Sequence, residues 1–281
     1  MSQGPKLKTV LSLSTQTVAG MVGNRVTMFV LQRMGHRVRA VPTSLNSNHG
    51  GYSKTFHEPV DVQTMEGLIG NLEENGWLDE TDAVFTGCFL TPEQVQLAER
   101  WIKRMQRAKP DLLYFCDPIL GDDAPPGYPA ESGGVYVGHE VAQAVSETLV
   151  PLADFTTPNR FELEYLSGQP VTSLEDALEA ASYLAPANVL ATSIPCGDDE
   201  LSVVCISPDG HWCVNHARLD DVPKGTGDVF AASALGALLN GAVPPAALEF
   251  ATTRTFAFCQ QSLGQQELQI LAHQNLFDVS V

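Results

Sequence analysis

Short apolar segments of strand character alternate along this chain with segments of helical period, and short links join them. That alternation admits little besides a layered α/β fold with a mainly parallel sheet. Thr9–Ser14 reads as a buried strand. Gly23–Met34 carries Val26, Phe29, Val30 and Met34 at helical spacing and stops at Gly35. Arg37–Thr43 reads as a second strand, Asp61–Asn75 as a helix, Ala83–Thr86 as a strand, and Thr91 starts a further helix. Leu112–Cys116 is strand-like, Val137–Leu149 helical and Ala153–Thr157 a short strand. Helices follow over Asn159–Leu166, ending at Gly168, and over Ser173–Leu184, before a strand at Val189–Thr192. Leu201–Ser207 and His211–His216 flank the turn Pro208-Asp209-Gly210 and form a hairpin. Long helices near Gly227–Asn240 and Pro244–Ser262, and a short one near Glu267–Gln274, complete the chain. The expected architecture is a central, mainly parallel β-sheet flanked by helices on both faces, with an antiparallel edge hairpin. No Gly-, Ser- or Pro-rich linker divides residues 1–281, so they are expected to form one domain. The Pro/Gly-rich stretch Asp122–Gly134 is expected to be a flap rather than a boundary.

With 16 basic against 33 acidic side chains the net charge is −17, which argues against nucleic acid and anionic membranes as partners. An acidic chain still binds phosphates through backbone N–H groups, helix N-termini and a divalent cation. The six cysteines are scattered, with no C-x-x-C pair, and read as reduced thiols. Met1–Lys8 is polar, and no run of about 18 apolar residues occurs. The expectation is a cytoplasmic protein.

Four local patterns can carry chemistry. Gly225-Thr226-Gly227-Asp228 opens a helix. Two glycines there leave N–H groups bare for an anion, and an Asp in the first turn can take the proton of an attacking hydroxyl beside it. A plain glycine-rich helix start would look the same. No Walker A loop exists, and Gly20-Met21-Val22-Gly23 lacks dinucleotide-fold spacing; Lys224 is either a phosphate contact or a solvated loop lysine. Cys116-Asp117-Pro118-Ile119-Leu120-Gly121-Asp122 follows a strand, where two carboxylates can hold Mg²⁺ or merely cap a turn. In Thr157-Pro158-Asn159-Arg160-Phe161-Glu162, Asn159 and Glu162 have capping-box spacing and also suit a metal–phosphate region. Asn46-Ser47-Asn48-His49-Gly50-Gly51-Tyr52 is a polar loop in which His49 is a substrate contact or a structural hydrogen-bonder. On the hairpin, His211 and Cys213 would share a face that His216 does not, so a zinc site is rejected.

Together with Val22-Gly23-Asn24-Arg25, Ser47-Asn48-His49, Pro151-Leu152-Ala153-Asp154, Leu166-Ser167-Gly168 and Thr192-Ser193, these motifs occur in an order that resembles the pyridoxal kinase family of the ribokinase-like superfamily, over nearly the whole length. The resemblance implies a homodimer that transfers the γ-phosphoryl of ATP to the 5′-hydroxymethyl of pyridoxal, pyridoxine or pyridoxamine (vitamin B6 salvage), with Mg²⁺ accompanying ATP and K⁺ as a candidate monovalent ion. It implies Asp228 as catalytic base and Gly225, Thr226 and Gly227 as anion hole. It implies Asp117, Asp122 and Glu162 around the metal and phosphates. Thr157, Asn159, Thr192 and Ser193 then fall on the nucleotide or monovalent-cation side.

The departures from the family lie on the substrate side. Thr15 stands where the family has Ser, Gly50 where Thr or Gln is usual, and Cys88 where a Tyr packs on the substrate ring, while Val22 keeps its apolar position. An aromatic contact is worth roughly 0.5–1.5 kcal/mol beyond area burial. The default reading is therefore a B6-vitamer kinase with a remodelled acceptor pocket. The alternatives are a kinase for another small alcohol, such as a hydroxymethylpyrimidine or a sugar, and a non-catalytic vitamin- or nucleotide-binding homologue.

Overall fold

β1 (Thr9–Thr17) is buried along nearly its whole length, as befits a strand with neighbours on both edges and helices on both faces. The computed structural model describes residues 7–124 and 133–278. The chain continues through α1 (Asn24–Arg33), β2 (Arg37–Asn46), β3 (His57–Pro59), α2 (Val62–Glu74), β4 (Ala83–Thr86), α3 (Pro92–Ala108) and β5 (Leu113–Cys116). There follow β6 (Gly121–Asp122), β7 (Gly134–Val135), α4 (His139–Ala144), β8 (Phe155–Thr156), α5 (Arg160–Ser167), α6 (Leu174–Ser182) and β9 (Asn188–Pro195). The last elements are β10 (Glu200–Ser207), β11 (Gly210–Ala217), α7 (Thr226–Leu239) and α8 (Pro244–Gln261). A nine-stranded sheet has the order β11-β10-β9-β8-β5-β4-β1-β2-β3. Strands β2, β1, β4, β5, β8 and β9 are mutually parallel, and β10, β11 and β3 run antiparallel to their neighbours.

The period of two along the central strands sorts their side chains between two cores. Val10, Phe85 and Phe115 face α1, α7 and α8, whereas Leu11, Leu13, Val84 and Tyr114 face α2, α3 and α4. On the first face Phe85, Phe115 and Phe155 form a row across three adjacent strands, with successive ring centroids 6.0 Å apart. Helix α7 is apolar on all sides because it lies between the sheet, α1 and α8, and every residue from Val229 to Ala237 is buried. Among the described residues no helix is long and apolar enough to cross a membrane.

Three elements differ from expectation. An antiparallel strand also closes the opposite edge of the sheet: β3 is short, exposed throughout and contains Pro59, so it carries no alternation to read. The segment near Glu267–Gln274 is not a helix: it holds one isolated turn closed by His273 N–H on Gln269 O, followed by a 3₁₀ turn at Gln274–Phe277. Leu268 and Ile270 are both buried, a spacing of two, and the Glu267 carboxylate is engaged by Met21 N–H; both favour extended chain. The helix expected over Val137–Leu149 is α-helical only in α4, then widens to a π-turn at Val145–Leu149 and tightens to a 3₁₀ turn at Val150–Leu152, where Pro151 cannot donate. β6 and β7 pair at the base of the Asp122–Gly134 loop. Residues 125–132, the middle of the expected flap, lie outside the described residues.

Replacing Phe115 by Ala removes the middle ring of the row and is expected to lower stability by about 3–5 kcal/mol. Urea denaturation of the variant measures this, and a loss under about 1 kcal/mol would contradict close packing at that point.

Candidate active site

β1 has β2 on one side and β4 on the other, so the connections diverge there, and a crevice opens beyond the carboxyl ends of the parallel strands. Thr15, Gly87, Asp117 and Thr157 all follow or end such strands. Facing them is the N-terminus of α7. Its N-cap, Gly225, has φ 105°, and a Cβ there would lie 2.4 Å from the Met21 carbonyl oxygen, so both the conformation and the contact require glycine. The first helical hydrogen bond runs from Val229 N–H to Gly225 O, which leaves the N–H groups of Thr226, Gly227 and Asp228 without helical partners. Gly227 has nothing within 4 Å of the place a side chain would occupy. A cavity of about 240 Å³ is lined by Gly225, Thr226, Gly227 and Asp228 together with Asp117, Asp122, Thr157, Asn159, Glu162, Thr192 and Ser193. All the expected catalytic, metal and nucleotide-side residues thus converge on one space.

Two carboxylates in this space keep an oxygen unused. Asp117 accepts a 2.9 Å hydrogen bond from Thr157 Oγ1 on one oxygen, while its buried Oδ2 has no partner among the described residues. Asp228 Oδ1 is likewise shielded and unpartnered. Burial pushes the Asp228 carboxyl up to about 6, with the facing Gly23 N–H opposing. Asp117 is held well above the usual carboxylate range by burial first and then by the charges of Glu162 and Asp228. Unpaired buried carboxylate oxygens that repel one another are what a divalent cation relieves. Among the described residues no three His, Cys, Asp or Glu side chains cluster closely enough to hold an ion alone. That donor set fits Mg²⁺, which takes one or two carboxylates and completes its shell with phosphate oxygens and water.

Glu162 and Asn159 serve the frame. Glu162 Oε1 accepts from Leu120 N–H at 2.7 Å and Oε2 from Asn159 N–H at 3.0 Å, and the Asn159 side chain accepts from Glu162 N–H while donating to Gly121 O. This is a complete capping box that also pins the Leu120–Gly121 backbone. Burial raises the Glu162 carboxyl to about 7 in spite of those donors. Thr192 N–H donates to Pro158 O, and Ser193 sits at φ 63°, uncommon for a non-glycine residue. Asp122 is half exposed, and its Oδ2 lies 3.7 Å from Lys224 Nζ, so Lys224 does face the acidic group.

Thr15, Val22, Gly50 and Cys88, the residues expected on the acceptor side, are not part of that cavity wall. Thr15 is buried, and its carbonyl oxygen and Oγ1 lie 2.5 Å from where a Cβ on Gly23 would stand. Val22 packs beside Gly225, and Gly50 is exposed with open space around it. Cys88 is partly buried, and its thiol is pushed up to about 12 by desolvation and by the charges of Asp228, Asp117 and Glu162, so it is an unreactive side chain beside the acids. The His49 ring accepts from Gly51 N–H at 3.1 Å, the structural alternative.

The sequence reading missed several residues. Tyr136, after β7, lines the cavity while remaining largely exposed. Ile119 lines it at φ 47°. An adjoining, mostly apolar cavity of about 210 Å³ reaches from Thr192 and Thr226 to Leu201, His216 and the α8 residues Thr252, Thr255, Phe256 and Cys259. The α8 residues recur at i, i+3, i+4 and i+7, and that one-face pattern was the available signal.

The phosphomethylpyrimidine kinase family model matches residues 79–273. A pyridoxal kinase of Rubrobacter xylanophilus is 33% identical over 98% of this chain and 94% of its own length. A pyridoxine/pyridoxal/pyridoxamine kinase of Bordetella bronchiseptica is 35% identical over 83% of this chain and 81% of its own. The solved structure of a Leishmania donovani pyridoxal kinase in complex with ADP and pyridoxamine superposes with a TM-score of 0.88 at 26% identity, covering 97% of each chain.

Burial of Asp228 has a pH signature in the ligand-free protein. Below pH 3.8 the residue is protonated whether the chain is folded or not. As pH rises from there to about 6 the unfolded chain releases the proton first, so stability falls. The shift corresponds to about 3 kcal/mol. Asp228→Asn is therefore expected to be more stable than the parent at pH 8 and equal to it at pH 3.5. Denaturant titrations at both pH values test this, and an unchanged or lower stability at pH 8 would contradict it.

Proposed function

The chain belongs to the pyridoxal kinase family, and from that premise we propose that it transfers the γ-phosphoryl group of ATP to the 5′-hydroxymethyl group of pyridoxal or a related B6 vitamer. The observation that carries the reading is Asp228: a carboxylate with one oxygen unpartnered, one turn into a helix whose N–H groups open into the same cavity. At neutral pH this carboxylate is mostly ionised and still basic enough to accept a hydroxyl proton. The substrate oxygen attacks the γ-phosphorus, its proton passes to Asp228, and the bond to the β–γ bridging oxygen breaks to release ADP. The N–H groups of Thr226, Gly227 and Asp228 stabilise the charge on the phosphoryl oxygens in flight. Asp117, with Asp122 and Glu162 as neighbouring charge, would hold Mg²⁺, which when bound neutralises phosphate charge. The apolar cavity between β10, β11 and α8 suits the nucleotide base; Thr192 and Ser193 line both cavities and Thr157 and Asn159 the acidic one, and a monovalent cation such as K⁺ would sit among these oxygens. Thr15, Val22, Gly50 and Cys88 form the acceptor side.

Cys88 favours a second reading, in which the space left by an absent aromatic ring admits another small alcohol such as a hydroxymethylpyrimidine. Parallel assays with the three vitamers and hydroxymethylpyrimidine separate the two. A higher kcat/KM on the pyrimidine would overturn the B6 assignment. Asp228→Asn is expected to lower kcat by about 10²–10⁴-fold with ATP binding retained. Activity within tenfold of the parent would remove Asp228 as base.

We also propose a homodimer in the cytoplasm. The exposed apolar side chains of Val18, Leu45 and Phe56 are joined by backbone pairing of Val18 with Asn46 and of Ser47 with Phe56, and an apolar patch of this kind marks a contact surface. The cysteines are all unpaired, as in a reducing compartment. Light scattering should give twice the chain mass, falling to one chain in a Val18→Asp, Phe56→Asp double variant. A parent mass of one chain would refute the dimer.

A further inference from the structure

Glu267 lies in the C-terminal segment, remote along the chain from every motif discussed, yet its side chain accepts from two donors in two other regions and lies close to a third polar group. Its Oε2 accepts from Met21 N–H at 3.3 Å, and its Oε1 accepts from the Tyr52 hydroxyl at 2.5 Å. His49 Nε2 lies 3.4 Å from the same Oε1. The His49 tautomer follows from its other nitrogen: Nδ1 accepts from Gly51 N–H, so the proton of the neutral ring sits on Nε2, the atom that faces Glu267. His49 Nε2 is buried and makes no hydrogen bond among the described residues, so its approach to Glu267 is one of proximity. The His49 and Tyr52 rings pack with centroids 4.8 Å apart, so the loop presents the Tyr52 hydroxyl with the His49 ring beside it. A carboxylate only accepts, and it serves both donors, one on each oxygen; an amide would turn its NH₂ toward one of them.

The segments so joined are those that surround the acceptor. The turn at Met21 carries Val22 and Gly23, whose N–H faces Asp228, and the Met21 carbonyl is the atom against which Gly225 packs. The loop at His49 carries Gly50, and Gly51 lies beside the Lys224 side chain. Leu268, next to Glu267, touches Gly225 as well. Nothing places Glu267 on the cavity wall itself.

We propose that Glu267 is the positioning residue of the acceptor side: its carboxylate clasps the turn at 20–23 to the loop at 47–52 and so sets Val22, Gly50 and Asp228 relative to one another. This inference rests on the acceptor-side assignment of the proposed function. It assigns Tyr52 and His49 to orientation rather than to substrate contact.

Glu267→Gln keeps the size of the side chain and removes the charge and one acceptor. In the full-length protein it is expected to raise KM for the B6 vitamer about tenfold, with KM for ATP within twofold of the parent. Tyr52→Phe should act in the same direction, and the double variant should fall short of the product of the two single effects, since both break one contact. A merely structural Glu267 would lower thermal stability and shift both KM values together, or leave both unchanged, and either result overturns the proposal. Hydrogen exchange on the ligand-free protein tests the clasp without turnover. The Met21, Gly51 and Phe56 amides should exchange about tenfold faster in Glu267→Gln while β1 amides do not change. Equal exchange, or acceleration throughout the chain, refutes the clasp. If the parent itself fails to phosphorylate any B6 vitamer, the substrate assignment falls and the exchange result still decides whether Glu267 holds these segments.

Discussion

Everything in the site depends on one approach of backbone to backbone: the N-cap of α7 rests against the Met21 carbonyl at a distance that leaves no room for a side chain. Because Gly225 is also at positive φ, the chain turns into α7 at that contact and aims the first N–H groups of the helix at the carboxyl ends of the parallel strands. The strands deliver Asp117 and Thr157 to the same level, and the turn after β1 delivers Val22 and Gly23. A site of this kind is assembled from strand ends and one helix end, each fixed by the sheet, so that its geometry is inherited from the core.

The acidic groups show what that assembly costs. Asp117, Glu162 and Asp228 are brought together out of water, and each titrates above its ordinary range. Backbone donors satisfy Glu162 in full, which is why it serves the frame; Asp117 and Asp228 retain a free oxygen each. The division between satisfied and unsatisfied carboxylates separates residues that build the cavity from residues available to a ligand. It was invisible in sequence, where all three are simply acids near turns.

Legibility followed the same line. Helices with a strong period, such as α1 and α2, were readable because burial on a face imposes spacing on the sequence, and the β10–β11 hairpin because its Pro208-Asp209-Gly210 turn is local. The Asn159–Glu162 capping box was readable because it is local. The edge strand β3 was not, since an exposed strand has no face to pattern. The C-terminal segment misled because Glu267 answers to Met21, His49 and Tyr52, partners that lie far away along the chain. Tyr136 and the α8 wall of the adjoining cavity were missed for the same reason: their part in the site is conferred by neighbours across space. The start of α7 at Gly225–Asp228 was readable because a helix start is written into consecutive residues.

Helix α7 is enclosed by the sheet and by α1 and α8, and its buried stretch begins at the residue after Asp228. From Val229 onward a helix in that setting cannot loosen without the core, because local loosening is drawn from regions with few buried contacts. Only the turn from Thr226 to Asp228, where Gly227 is exposed, lies outside that hold. Any displacement of the Asp228 carboxylate that spares the fold is thus confined to a single helical turn.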